Sequence, residues 1–311
     1  MTQSYFITCI SNDIDKYPLT EKYIDKFIND NKTVLEKDST VSDVLVLHPL
    51  KAIRIPVNSN DLSLKYNPVE VSVNINNYDH FKPKLMVFDM DSTLIYQEVI
   101  ELIAKYANVE DKVRDITTRA MNNELNFKQS LKERVSLLKG IELPKLLNDI
   151  CENQIVLTKG VRELIYFLQN YKNTVTTTKT AVLSGGFIPF AKYVQNILKL
   201  DYMRANELGL TNHGQTLDGT VIGEIVDGQY KAKTLVELAS INNIDIKDTC
   251  MVGDGGNDLP AMKAAGYGIA WNAKPIVQQQ APSKLNSDTI LDILYIFGFT
   301  KQDIDQVLSS I

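Results

Sequence analysis

The chain has 311 residues, 44% hydrophobic and 23% charged, an ordinary globular composition long enough for one large or two modest cores. With 33 Lys and Arg against 38 Asp and Glu the net charge is −5, which gives no reason to expect a nucleic acid or an anionic membrane surface as partner. No apolar run approaches the ~18 residues of a membrane span, and the start, M-T-Q-S-Y-F-I-T-C-I, lacks the basic region and long apolar stretch of a secretory signal.

Residues 1–80 read as a small α+β appendage. Tyr5 to Ile10 and Ala52 to Val57 look like strands, and Thr20 to Phe27 like an amphipathic helix. Val69, Val71, Val73 and Ile75 alternate along a half-buried strand. Asparagine and aspartate are dense at Asn29 to Asn31, Asn58 to Asp61, and Asn74, Asn76 and Asn77, and are read as turns. Asn76 to Pro83 is the expected boundary, and residues 81–311 follow as the main domain.

Leu85 to Phe88 is a short unbroken apolar run, as a strand buried on both faces of a parallel sheet requires. Helical spacing then recurs at Glu98 to Tyr106, Asp111 to Met121, Phe127 to Leu138 and Pro144 to Cys151. About sixty residues of helix exceed a single crossover, so an inserted helical cap is expected over about 98–158. Gly160 opens a helix to Leu168, Thr180 to Leu183 is a second buried strand, and a helix runs from Phe187 to about Leu198. Turn pairs at Asn212-His213-Gly214, Asp218-Gly219 and Asp227-Gly228 predict a hairpin or meander over 206–230. Lys231 then opens a helix to Ser240, and Thr249 to Val252 is a third buried strand. Leu259 to Ala265 reads as a helix, Tyr267 to Ala270 as a strand, and the tail from Asp288 as two short helices. Alternating strands and helices imply an α/β doubly wound parallel sheet.

Three strand ends carry polar sets: Asp89 and Asp91, Ser184-Gly185, and Asp254 with Asn257 and Asp258. Open α/β sheets place ligands at the carboxyl ends of their strands, so these sets converge on one edge. Two residues apart in extended chain, Asp89 and Asp91 would point the same way, and their repulsion calls for a divalent cation or a shared proton. Such a set suits phosphoryl transfer. Asp89 is the nucleophile, forming an aspartyl-phosphate, and Asp91 the general acid and base. Asp89, Asp254 and the backbone carbonyl of Asp91 are hard oxygen ligands for Mg²⁺. Ser184 and the N–H of Gly185, placed at a helix N-terminus, would hold phosphate oxygens, and Lys231 would add positive charge. Taken singly, Ser184-Gly185-Gly186 is an ordinary βα turn, Lys231 a solvated lysine, and Asn257 and Asp258 helix caps.

The segments F-D-M-D-S-T, S-G-G-F, the lysine before A-K-T-L, and G-D-G-G-N-D resemble the four motifs of the haloacid dehalogenase superfamily. Glu98 in I-Y-Q-E, Leu125-Asn126-Phe127, Arg134 in R-V-S-L-L-K and Ala273-Lys274-Pro275 extend the resemblance, within it, to the phosphoserine phosphatase family, from about Leu85 to Pro275. Gly256 departs from the family's usual alanine. The resemblance implies a Mg²⁺-dependent phosphatase that releases L-serine from O-phospho-L-serine, the last step of L-serine biosynthesis. It implies Asp89, Asp91 and Lys231 as catalytic, and Asp89, Asp91 and Asp254 as metal-holding. It further implies that Glu98 and Arg134 bind the substrate's ammonium and carboxylate, with Ser184, Gly185, Lys231 and Asn257 around the phosphate. Phe127 and Arg134, seven residues apart, share a helix face and would close over a small zwitterion. Residues 1–80 carry no comparable match; a degenerate ACT-like module is one reading of them.

Two alternatives stand beside this one: a phosphatase or mutase for another small phosphoester, and a non-catalytic ligand-binding relative. The three cysteines, Cys9, Cys151 and Cys250, are far apart and fit reduced thiols of a cytoplasmic protein. The histidines, His48, His80 and His213, stand away from any cluster, which gives little support to zinc or phosphohistidine chemistry. A homodimer is left open.

Overall fold

The computed structural model describes residues 5–35, 44–57, 64, 71–76, 81–121, 124–171, 177–211 and 213–310. The expectations placed on Val69, Asn58 to Asp61, Asn77, His80, Asn212 and the 77–80 part of the boundary lie outside the described residues. The chain divides into two compact units, one of Met1–Lys84, Lys159–Thr178 and Ile269–Ile311, the other of Leu85–Thr158 and Lys179–Gly268.

The first unit begins with β1 (Tyr5–Ser11), α1 (Glu21–Asp30), the short α2 (Lys32–Leu35), β2 (Leu45–His48), β3 (Ala52–Val57) and β4 (Val71–Asn76). The strands form an antiparallel sheet in the order β2-β3-β1-β4. Ile7, Cys9, Ile53 and Ile55 pack against Leu19, Phe27 and Leu35 to close its core. Thr20 caps α1 by accepting the N–H of Tyr23, an oxygen acceptor that an exposed first turn needs. Asn29 and Asp30, read as turn residues, instead complete α1, and the turn begins at the buried Asn31. β2 had no sequence signature, because its Leu45 and Val46 are both exposed and do not alternate.

Asn74 and Asn76 also overturn their reading as turn residues. Both lie inside β4, and both are buried. Asn74 Nδ2 donates to the carbonyl of Lys284 at 3.0 Å, while its Oδ1 accepts the Lys284 N–H at 3.0 Å. Asn76 Nδ2 donates to the Ile296 carbonyl at 3.2 Å. A side-chain amide carries the same donor and acceptor as a peptide, so it can pair with backbone where no strand is available.

In the second unit β5 (Leu85–Phe88) is wholly buried and runs parallel to its neighbours on both sides. Four helices follow, α3 (Val99–Tyr106), α4 (Glu110–Met121), α5 (Phe127–Ser136) and α6 (Leu143–Asn153), within a residue or two of their predicted bounds at nearly every end. After α7 (Val161–Asn170), which belongs to the first unit, come β6 (Lys179–Phe187), α8 (Ile188–Leu198), β7 (Tyr202–Thr211), β8 (Thr216–Ile222), α9 (Gly228–Ile241), β9 (Thr249–Gly253) and α10 (Leu259–Ala264). Within this unit the order is β9-β5-β6-β7-β8, parallel except for β8, which returns against β7 as the predicted hairpin. The parallel sheet with its helices bears out the α/β expectation. β10 (Tyr267–Trp271) starts in this unit; α11 (Pro275–Gln280), β11 (Ser283–Leu285), α12 (Ile293–Ile296) and α13 (Lys301–Leu308) belong to the first, where Ile269 pairs with Ser283 in parallel.

The end of α5 is stitched to the hairpin. Gly140 N–H donates to the Leu217 carbonyl at 2.8 Å, and Leu217 N–H to the Ile141 carbonyl at 2.9 Å. Asp218-Gly219, predicted as a turn, lies inside β8. Gly219 has φ +86°, and a Cβ there would sit 3.2 Å from the Ser136 carbonyl, so glycine lets the helix end approach.

Asn74→Ala leaves the Lys284 N–H and carbonyl without their partners, at an expected cost of ~1–3 kcal/mol. Denaturant unfolding, with hydrogen exchange at the Lys284 amide, measures it; an unchanged midpoint and protection would refute the pairing.

Candidate active site

β5 ends at Phe88, and Asp89 continues its pairing by one bond, its N–H donating to the Val252 carbonyl at 2.9 Å. Its carboxylate then turns back, Oδ1 accepting the Met90 N–H at 2.7 Å. The chain enters one wide turn, Met90–Leu94, in which Asp91 keeps an extended ψ of 136° and Ser92 takes φ 55°. Asp91 therefore does not share a strand pleat with Asp89, as its spacing suggested; the turn, not the pleat, brings the two together. Asp91 Oδ1 accepts the N–H of Val99 at 3.0 Å, the first residue of α3, where free amides favour a carboxylate. Ser92 Oγ donates to Glu98 at 2.8 Å.

Lys231 is the centre of the set. It lies in the first turn of α9, which Asp227 caps by accepting the Tyr230 N–H, and it is fully buried. Its Nζ is 2.8 Å from Asp89 Oδ1 and 2.7 Å from Asp258 Oδ1. Asp258, part of the polar set at the third strand end and, taken singly, a helix cap, is also fully buried, and its Oδ2 accepts the Gly255 N–H at 3.0 Å. Carboxylate oxygens of Asp89, Asp254 and Asp258 all lie within 4.8 Å of one another. Thr93 Oγ1 reaches Asp254 at 3.4 Å, a contact that sequence reading did not foresee.

The charges follow from this crowding. Burial alone would lower Lys231, yet Asp258 and Asp89 outweigh it and hold the ammonium above its ordinary range. Burial, with the charges of Asp89 and Glu98, pushes Asp254 up to about 7 against the pull of Lys231. Burial, then Glu98 and Asp89, raises Asp91 well above the usual carboxylate range. Glu98 is raised by burial as well, with its Ser92 hydrogen bond opposing, and burial lowers Arg134, with Glu98, Glu101 and Asp91 opposing. Three crowded carboxylates share one lysine. A divalent cation fits that deficit.

Across from these residues β6 runs on through Ser184-Gly185-Gly186 to Phe187, its register with β7 shifting between Leu183 and Phe187. α8 starts only at Ile188, so Gly185 is not at the helix N-terminus as expected. Its surroundings explain the two glycines. A Cβ on Gly185 would meet the Phe127 ring at 2.9 Å, with Asn257 Nδ2 at 3.8 Å. One on Gly186 would lie 2.9 Å from Asp91 Oδ2 and 3.0 Å from Ser184 Oγ. Phe127, Asn257, Ser184 and Asp91 thus gather about this strand end. Phe127 opens α5 behind a capping box of Asn126 and Gln129. The next residue, Lys128, forms an ion pair with Asp227 at 3.1 Å. Arg134 lies seven residues beyond Phe127 on the same helix, its Nε donating to the Ser130 carbonyl at 3.3 Å.

Three comparisons with known proteins bear on this site. The family model described as haloacid dehalogenase-like hydrolase matches residues 83–266. A protein of Saccharomyces cerevisiae named phosphoserine phosphatase is 54% identical over 239 residues, covering 77% of this chain and 75% of its own. Among solved structures, a haloacid dehalogenase family hydrolase from Salmonella enterica serovar Typhi aligns with TM-score 0.77 at 25% identity over 95% of this chain and 98% of its own. A substrate-bound phosphoserine phosphatase complex aligns with TM-score 0.61 at 40% identity over 69% of this chain and 98% of its own.

Two stability measurements test the electrostatics. Lys231→Met leaves Asp89 and Asp258 facing each other without a cation, and should cost ~3–5 kcal/mol in denaturant unfolding, with Lys231→Met/Asp258→Asn recovering part. In chelator, Asp254 binds its proton more tightly folded than unfolded. Its contribution is therefore present at low pH and fades as pH rises from 3.8 through about 7, by at most ~1.4 kcal/mol per pH unit. Thermal midpoints across that window should fall, and Asp254→Asn or added divalent cation should flatten the fall.

Proposed function

Because the chain belongs to the haloacid dehalogenase-like hydrolase family, we propose that it is a phosphoserine phosphatase, hydrolysing O-phospho-L-serine to L-serine and phosphate as the last step of L-serine biosynthesis. The observation that carries this reading is that Glu98 and Arg134 come within electrostatic reach of Asp91, beside the Asp89–Lys231 pair. One anion, one cation and a phosphate-sized polar strand end match the three charged groups of the substrate.

Asp89 attacks phosphorus to form an aspartyl-phosphate as the seryl oxygen leaves. Asp91, whose protonated form is favoured by burial and by the charges of Glu98 and Asp89, gives that oxygen its proton and then takes one from the water that cleaves the acyl phosphate. Lys231 holds Asp89 in place and balances charge as the phosphoryl group is transferred. Ser184 Oγ accepts the Gly186 N–H at 2.8 Å, so its own proton is available to a phosphate oxygen, joined by the N–H of Gly185 and the Asn257 amide. Phe127 against Gly185 excludes water from that end. Asp89, Asp254 and the main-chain carbonyl of Asp91 would hold Mg²⁺, with Asp258 adjoining. When bound, the ion supplies charge that eases the approach of carboxylate to phosphate.

We further assign residues 1–80 to an α+β appendage and 81–311 to the phosphatase core, with a helical cap at about 98–158. The placement of α3 to α6 between β5 and β6 supports the cap. The free, buried cysteines support a cytoplasmic location. Among the described residues no helix is long and apolar enough to cross a membrane.

Phosphate release from O-phospho-L-serine should exceed that from phosphothreonine, 3-phosphoglycerate and p-nitrophenyl phosphate, and should vanish on chelation. Asp89→Asn should lower kcat by ~10³-fold or more. Arg134→Ala should raise KM for phosphoserine by ~10- to 100-fold and leave p-nitrophenyl phosphate nearly unaffected. Equal losses on both substrates would remove Arg134 from carboxylate binding, and inactivity on every ester would point to a binding protein.

A further inference from the structure

We propose that Asn206, a residue no sequence motif marks, is a positioning residue that sets the phosphate-holding strand end and the Lys231 helix in register; the proposal rests on the phosphatase reading above. Asn206 lies on β7 opposite Phe187 and is 1% exposed. Its Nδ2 donates to the Gly185 carbonyl at 2.8 Å, and its Oδ1 accepts the Val226 N–H at 2.8 Å. A carbonyl can only accept and an N–H can only donate, so the amide has one orientation that satisfies both.

Each bond leads to a different part of the site. The Gly185 carbonyl and the Gly186 N–H belong to one peptide plane, and the Gly186 N–H donates to Ser184 Oγ. Asn206 therefore holds one edge of that plane and Ser184 the other. Two adjacent glycines leave this peptide with little intrinsic restraint. Were it to rotate, Ser184 would lose the N–H that commits its oxygen to accepting, and so the direction of its own proton. At the other end, Val226 precedes Asp227, whose side chain caps α9 and whose carbonyl accepts the Lys231 N–H at 2.9 Å. One buried amide thus spans the strand end at Ser184-Gly185 and the helix start that delivers Lys231 to Asp89. Asn206 bonds the Gly185 carbonyl and the Val226 N–H, not Glu98 or Arg134, so its effect should fall on phosphate and not on the serine moiety.

The test uses the full chain with Mg²⁺, with inorganic phosphate and L-serine as separate inhibitors of phosphoserine hydrolysis. Asn206→Ala should lower kcat and raise the inhibition constant of phosphate ~10-fold, the effect of freeing the Gly185 peptide as both side-chain hydrogen bonds are lost. The constant for L-serine should stay within about twofold, at temperatures where the variant's circular dichroism remains native. Phosphate and L-serine constants that move together, or activity lost only in proportion to unfolded protein, would overturn the proposal and leave Asn206 a structural residue. If Asn206→Ala does not fold, Asn206→Asp decides. Its introduced carboxyl can donate to the Gly185 carbonyl only when protonated, so phosphate affinity should recover at low pH relative to the unmodified protein. Parallel pH dependence in the two proteins would overturn the proposal. An unmodified protein that hydrolyses no phosphoserine would instead refute the functional reading.

Discussion

A fully buried ammonium between two buried carboxylates is the constraint on which the second unit depends. Lys231 can remain charged there only because Asp89 and Asp258 lie within 2.8 Å. Lys231 and backbone N–H groups in turn offset part of the burial cost of both carboxylates, and burial still holds Asp258 above the usual carboxylate range. The arrangement joins three separate segments: the end of β5, the first turn of α9, and the start of α10. It also leaves a residue of negative charge. Asp254, third of the crowded carboxylates, is pushed up to about 7 by burial and by the charges of Asp89 and Glu98, which Lys231 offsets only in part. Stability and chemistry draw on the same imbalance, since a site that is strained without a cation is one that binds a cation well.

Around that centre, close approach is obtained by leaving side chains out. Gly185 and Gly186 carry no Cβ where the Phe127 ring and the Asp91 carboxylate come near, and Gly219 carries none where the end of α5 meets β8. α5 is consequently held at both ends. Its first turn is fixed by a capping box and by Lys128 against Asp227, and the loop that follows it is stitched into the hairpin. A helix held this way presents Phe127 and Arg134 in a fixed spacing, which is what selective closure over a small charged molecule requires.

Neutral amides do the joining where charge would cost too much. In the first unit Asn74 imitates a peptide and pairs with Lys284, and Asn76 reaches the Ile296 carbonyl. In the second, Asn206 links the Gly185 carbonyl with the Val226 N–H. Each is buried, and each meets backbone groups through its side-chain amide.

The sequence by itself determined the buried strands at 85–88 and 249–252, the four inserted helices and the polar sets at strand ends, because apolar periodicity and motif spacing are local properties. It also brought forward the aspartates and glycines at strand ends and Lys231 near a helix start, since such residues are uninformative singly but uncommon as a set in this order. Only the tertiary structure decided the rest. It placed Gly185 in a strand that continues to Phe187, and set Asp91 in a turn facing α3 rather than on the pleat of β5. It turned Asp258 from a helix cap into the second anchor of Lys231, and carried Asn74 and Asn76 into a strand. Asn206 gave no signal at all. What a buried amide or carboxylate does depends on which distant backbone group faces it, and that is settled by packing between elements far apart in the chain.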